Sequence, residues 1–392
     1  MEIIYISTLS SQRVIDEIYN LTSSNPGFAA QKFNRLVAKG LFDNGCSVKA
    51  LSNPPISQKD YRKIKQILQS EIEDGIQYTY IPFINCSILK SICVFIYSFL
   101  YVIFCGFKSR SEKRIICDAL SVGASMGALL ASKIIKIKST AIVTDIYGLM
   151  VGSNSYKEKV ASKLFSSYVT SFDSYVLLTE HMNDLVNPHR KPYIIIEALC
   201  EANSMKGKQS DIKKEIPRTI IYAGGVHEKY GLRMLAEAFL YANISDAILV
   251  YYGSGPYVED YCRLCAQYPN LVYAGVVHNQ DVVIAECKAT LLVNPRFTTE
   301  EFAKYSFPSK NMEYMVSGTP LLTTKLPGMP AEYNKYVYLF SEETVEGYAR
   351  TIKEIMSLDM EELEALGQSA RNFVLKEKNN IIQAQRIIEL IK

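Results

Sequence analysis

Residues 305–320 read YSFPSKNMEYMVSGTP. Pro308 fixes its own φ and biases Phe307 toward extended backbone, so the pattern predicts a helix beginning at about Ser309. Gly318 and Pro320 are its stop. The start of this helix is the unusual part. A helix N-terminus carries unpaired N–H groups and a partial positive charge, and Ser309 and Lys310 add a hydroxyl and an ammonium there. That set suits a phosphate group. One turn on, Glu313 can accept hydrogen bonds from two neighbouring hydroxyls, such as those of a ribose.

Before this helix, short apolar strands and amphipathic helices alternate. TIIYA (219–223), AILVYY (247–252), LVYA (271–274) and TLLVN (290–294) recur at βα-unit spacing, as a parallel α/β domain requires. EIIYI (2–6), SVKAL (47–51), RIIC (114–117), TAIVT (140–144), SYVLL (174–178) and YIII (193–196) give the first half the same rhythm. The lysine-rich stretch EANSMKGKQSDIKKEIPR (201–218) separates the halves and reads as a linker. The expected organisation is a first doubly wound domain over 1–200, that linker, a second over 219–375, and a terminal helix over 376–392 that can pack back toward the first domain. Two such α/β domains facing across a cleft form a ligand site.

Composition limits the function. The chain has 392 residues and 48% apolar content, enough for two full cores. Its 43 basic and 40 acidic residues leave a net charge of +3, which offers no nucleic-acid footprint. MEIIYIS begins at once with a strand-like run, and nine cysteines lie scattered without a framework, so the expected compartment is the cytoplasm. Cys262 and Cys265 fall in one helix with no second pair at zinc-finger spacing, and no D-x-D triplet occurs. No metal or other cofactor is expected. SICVFIYSFLYVIFCGF (91–107) is seventeen residues without a charge, between Lys90 and Lys108. It sits at the lower limit for a span and reads as a helix packed on the sheet, with an interfacial membrane contact as the alternative.

Two further stretches point to an anionic ligand. In IIYAGGVHEKYG (220–231) a strand ends in Gly224-Gly225, where a ligand can approach the backbone, although a tight βα turn would use the same glycines. After the fourth strand, NPRFTTEEFAKYSFPSK (294–310) gathers Arg296, Lys304, Ser309 and Lys310 around a helix start.

Taken in order, these constellations resemble the GT-B-fold glycosyltransferases of the large retaining family, family four, whose members share an "EAMASGTPV" helix. MEYMVSGTPLL (312–322), YAGGVHEKYG (222–231) and LVYAGVV (271–277) carry the resemblance, and FPSK (307–310) is similar to a bacterial polysaccharide-assembly branch. The first half matches more loosely, through NPGFAAQKFNRLVAKGL (25–41) and YVLLTEHM (175–182). The resemblance implies that Glu313 binds ribose hydroxyls, that Ser309 and Lys310 lie near a pyrophosphate, and that Gly224 lets it approach. It also implies that Asp145 faces the sugar from the first domain. The chain departs from the family in three places. Tyr305 stands where an acid completes a Glu-x7-Glu pair, Gly225 stands where relatives have Arg, and Tyr230 where they have Lys. Arg296, Lys229 and Lys310 are the available replacement cations. The implied activity is transfer of a sugar from a nucleotide-sugar, with uridine as the base, to a glycan or lipid-linked acceptor at the cytoplasmic membrane face. A nucleotide-sugar epimerase and a non-catalytic nucleotide-sugar-binding protein are the rival readings.

Overall fold

The computed structural model describes residues 1–392 apart from 23–27, 57–64, 67, 85, 109–110, 148–155, 204–213 and 215. Most of the expected 201–218 linker and the first residues of the 25–41 match therefore lie outside the described residues. The chain divides into two units, Met1–Leu199 with Asn380–Lys392, and Cys200–Asn379.

The first unit runs β1 (Glu2–Ser7), α1 (Gln12–Thr22), α2 (Phe28–Asp43), β2 (Ser47–Ser52), β3 (Lys65–Gln66), β4 (Glu71–Glu73), β5 (Ile76–Tyr80), β6 (Phe83–Ile84) and α3 (Ser87–Lys108). It continues through β7 (Lys113–Asp118), α4 (Val122–Ile135), β8 (Ser139–Val143), α5 (Tyr156–Val169), β9 (Ser174–Leu177), α6 (Glu180–Val186) and β10 (Tyr193–Ile195). Eight strands form one sheet in the order β10-β9-β8-β7-β1-β2-β5-β4. All pairs are parallel except β4 with β5. The central strands are buried along their whole length, which is why they read as unbroken apolar runs.

The second unit contains β11 (Arg218–Ala223), α7 (Leu232–Ala242), β12 (Ala247–Tyr252), α8 (Val258–Cys265), β13 (Leu271–Gly275), α9 (Asn279–Lys288), β14 (Leu291–Asn294), α10 (Ser309–Ser317), β15 (Leu321–Thr323), β16 (Tyr338–Leu339), α11 (Val345–Met356) and α12 (Met360–Glu377). Its six parallel strands follow the order β13-β12-β11-β14-β15-β16. Numbered within the unit this is 3-2-1-4-5-6, the doubly wound order, with its reversal between β11 and β14. Open α/β sheets bind ligands beyond the carboxyl ends of the strands at such a reversal. Here those ends lead into Gly224 and Pro295.

The last helix, α13 (Asn380–Ile391), belongs to the first unit and packs on α2. The approach is close, since a Cβ on Gly40 would lie 2.1 Å from the Asn380 carbonyl oxygen. Asn44 Nδ2 donates to the Ile381 carbonyl at 2.9 Å. Ile387 and Ile391 join the core built on Ile3, Tyr5 and Val37.

Candidate active site

The helix expected from Ser309 starts at that residue, with Pro308 extended before it (φ −66°, ψ 112°) and Gly318 in the left-handed region after it (φ 76°). Its register on the sheet is set by hydrogen bonds. The Ala223 N–H donates to Tyr314 Oη at 2.8 Å, and Tyr314 donates back to the Ala223 carbonyl at 3.2 Å. Asn294 Nδ2 donates to Asn311 Oδ1 at 2.6 Å. α10 is thus pinned to the ends of β11 and β14, and its N-terminal N–H groups stand at the sheet reversal.

Lys310 lies directly against Gly224. A Cβ on that glycine would meet Lys310 Cε at 2.3 Å and Cδ at 3.0 Å, so only glycine leaves room for the lysine stem in this pose. Among the described residues the Lys310 ammonium has neither a hydrogen-bond acceptor nor a carboxylate partner. Ser309 is exposed at the helix start, and Glu313 follows one turn later, half-buried. At i and i+3, Lys310 and Glu313 share a helix face. Gly225 continues the turn, its carbonyl accepting from Tyr222 Oη at 2.9 Å.

A second group of cations sits on an aromatic pair. Tyr230 and Phe302 meet edge to face with centroids 6.4 Å apart. The Arg296 guanidinium lies 4.9 Å from the Tyr230 centroid and 5.3 Å from that of Phe302. Lys229 Nζ lies 5.6 and 5.8 Å from the same two rings. Such stacking orients a cation without neutralising it. Arg296 Nη1 donates to Ser306 Oγ at 3.2 Å, while its buried Nε has no hydrogen-bond partner. Burial pushes the Arg296 pKa down, and the phenols of Tyr230 and Tyr222 act in the opposite sense. His227 packs its ring on Tyr230 at 5.2 Å, and desolvation with the nearby Lys229 charge lowers its pKa.

Near the start of α10 the second unit therefore holds three cations, Lys229, Arg296 and Lys310, none of them paired with a carboxylate among the described residues. Tyr305, half-buried, closes the one-turn 3₁₀ segment Glu301–Lys304. The ring bracket formed by Tyr230 and Phe302 was not legible as a site feature. Its signal is the pair of aromatics placed one after Lys229 and six after Arg296.

Asp145 lies in the first unit, just beyond β8, and accepts from the Ile146 N–H at 2.7 Å. Desolvation pushes its carboxyl up to about 6. The reversal of the first sheet falls between β1 and β7, one strand away from β8. The residue at the end of β7 is Asp118, a fully buried carboxyl also pushed up to about 6 by burial. It accepts from the Leu120 N–H at 3.0 Å and from Asn34 Nδ2 at 3.3 Å, and Tyr5 Oη donates to Asn34 at 2.6 Å.

Residues 217–357 match the family model described as Glycosyl transferases group 1. The match spans most of the second unit. The fold of the chain agrees with it throughout. A sucrose-phosphate synthase from Thermosynechococcus elongatus superposes with a TM-score of 0.65 at 12% identity, covering 100% of this chain and 98% of that one. Anabaena Alr3699/HepE, solved in complex with UDP, gives 0.63 at 11% identity, covering 99% of each chain. A trehalose-6-phosphate protein from E. coli bound with UDP-2-fluoro glucose gives 0.67 at 9% identity, covering 100% and 99%. No curated protein matches the chain by sequence. At these identities the likeness is one of fold, the GT-B arrangement of two α/β domains.

Proposed function

We propose that this glycosyltransferase moves a sugar from a uridine-diphosphate sugar to a hydroxyl of a glycan or lipid-linked acceptor in surface-polysaccharide assembly, without a metal ion and with retention at the anomeric carbon. The observation that carries the reading is the set of uncompensated cations around the α10 N-terminus. A buried guanidinium with an unbonded Nε and a lysine with no carboxylate are costly unless an anion completes them. A diphosphate does so. The UDP and UDP-sugar in the Anabaena and E. coli structures support uridine as the base.

The barrier is cleavage of the bond between the anomeric carbon and the leaving phosphate oxygen. Negative charge builds on the diphosphate as that bond lengthens. Lys310, Arg296, Lys229 and the N–H groups at Ser309 are placed before the reaction to receive this charge, so no reorganisation is required as it develops. Gly224 and Gly225 admit the diphosphate to the backbone. Tyr305 flanks it, and Glu313 takes the ribose hydroxyls. With attack and departure on the same face, the acceptor hydroxyl gives its proton to the leaving phosphate oxygen as the new C–O bond forms. No protein base is then needed. Asp145 orients the sugar or the acceptor, a role that rests on the family resemblance alone.

The test is incubation with a panel of labelled nucleotide-sugars in EDTA, with products read by mass. Transfer of one hexose-sized increment in the presence of chelator supports the reading. Isomerisation without transfer would make the chain an epimerase, and binding without turnover a non-catalytic receptor.

A further inference from the structure

The apolar stretch at 91–107 becomes α3, and it packs on the neighbouring α4 rather than disappearing beneath the sheet. The two helices run parallel. A Cβ on Gly127 would lie 2.3 Å from the Phe95 carbonyl oxygen, and one on Gly106 2.5 Å from Ile135 Cδ1, so N-terminal halves meet and C-terminal halves meet. Ser98 Oγ donates to the Ala124 carbonyl at 2.7 Å. Val94, Ser98, Val102 and Cys105 form the buried face. The opposite face carries Leu89, Ile92, Ile96, Leu100, Phe104 and Phe107 at helical spacing, with Phe104 64% and Phe107 77% exposed. Leu130 and Ile134 of α4 are exposed as well, at 48% and 60%. A stripe of this length on one surface has a function as a rule.

The charges around it indicate the partner. Neither helix contains an Asp or Glu. Gly106 touches Ile135 and Ile137, so Lys108, Lys136 and Lys138 gather at one end of the stripe. All three are exposed and have no carboxylate partner among the described residues. Lys108 Nζ lies 5.6 Å from the Phe104 ring centroid, so its ammonium can reach outward while the ring goes inward. At the other end Lys90 is turned into the protein, donating to the Ile56 carbonyl at 2.6 Å. We infer that the exposed α3–α4 face lies in the surface of an anionic lipid bilayer, its apolar stripe among the acyl chains and its lysine end at the headgroups.

By length and composition α3 could cross a membrane. Its other face, however, is hydrogen-bonded to α4, and α4 connects β7 to β8 inside the eight-stranded sheet. Freeing α3 to span would open that core, so it lies in the interface plane.

The experiment is co-sedimentation of the full chain with vesicles of equal parts phosphatidylglycerol and phosphatidylcholine, and with vesicles of phosphatidylcholine alone. Wild type should bind the anionic vesicles more strongly. The Phe104→Ser/Phe107→Ser variant should weaken that binding at least about tenfold, since two large side chains lose their burial. The Lys108→Glu/Lys136→Glu/Lys138→Glu variant should erase the preference for anionic lipid. These positions are exposed, and circular dichroism with thermal unfolding checks that each variant folds as wild type does. Absence of vesicle binding by wild type would overturn the inference, as would binding unchanged in both variants. A dimer in light scattering that the phenylalanine changes dissolve, with no vesicle binding, would instead assign the face to a second copy of the chain.

Discussion

Lys310 reaches the sheet reversal by lying along a glycine. That contact separates two roles that substitutions usually confound. If Lys310 stabilises the leaving diphosphate as proposed, Lys310→Ala should lower turnover about 10²-fold or more, as measured in steady-state kinetics with a UDP-sugar. Gly224→Ala leaves the lysine in place but puts a Cβ 2.3 Å from its Cε. The clash is with the far end of a flexible side chain, so the folding cost should stay under about 1 kcal/mol. The displaced ammonium should weaken UDP binding about tenfold, or about 1.4 kcal/mol. A denaturant melt and a calorimetric titration check the two halves; a destabilised variant with unchanged affinity would make Gly224 a packing residue only. The Ser309-Lys310 helix start was legible because proline and glycine punctuate it. The role of Tyr230 and Phe302 was not, since the bracket around Arg296 exists only once two loops from different strands meet.

At the scale of elements, α10 is held at both ends, and its C-terminal end gives a clean test. Gly318 sits in the left-handed region, and α12 crosses so closely that a Cβ on Gly367 would lie 2.1 Å from the Gly318 carbonyl oxygen. The obstacle is backbone, which cannot rotate away. Gly367→Ala should therefore cost about 1–3 kcal/mol through overpacking, seen as a lower denaturant midpoint for the second unit. A midpoint equal to wild type would contradict the packing described. The long buried strands were readable as apolar runs. β15 and β16 were not, because Leu-Leu-Thr and Tyr-Leu are too short to show a period. The β4–β5 hairpin did leave a signal. Asp74-Gly75 between EIE and IQYTY, with φ of 51° and 76°, is the two-residue turn that such a pair predicts, and a search for apolar runs passes over it.

For the molecule as a whole, the division into two units predicts unfolding that a single two-state midpoint does not describe. The first should show a pH dependence traceable to Asp118. Its folded pKa of about 6 lies above the ordinary 3.8, so the folded state holds the proton more tightly. The associated stability is complete below about pH 4 and lost as pH rises through about 6. Asp118→Asn should flatten that slope, removing about 1–3 kcal/mol of difference between about pH 4 and pH 7 in denaturant melts. An unchanged slope would remove Asp118 as its source. Repetition of βα units made two doubly wound domains legible in the sequence. The return of α13 to the first unit was part of the expected organisation, whereas its packing partners Gly40 and Asn44 lie far away in the chain, where local patterning does not reach.

In the proposed function the α10 N-terminus, with Lys310 and Arg296, grips a nucleoside diphosphate. Calorimetric titration of wild type and Lys310→Ala with UDP and with uridine tests it most directly. Wild type should bind UDP far more tightly than uridine, and the variant should lose at least about tenfold for UDP while its weak affinity for uridine stays unchanged. Equal UDP affinity in the two proteins, or no UDP binding by wild type, would contradict it.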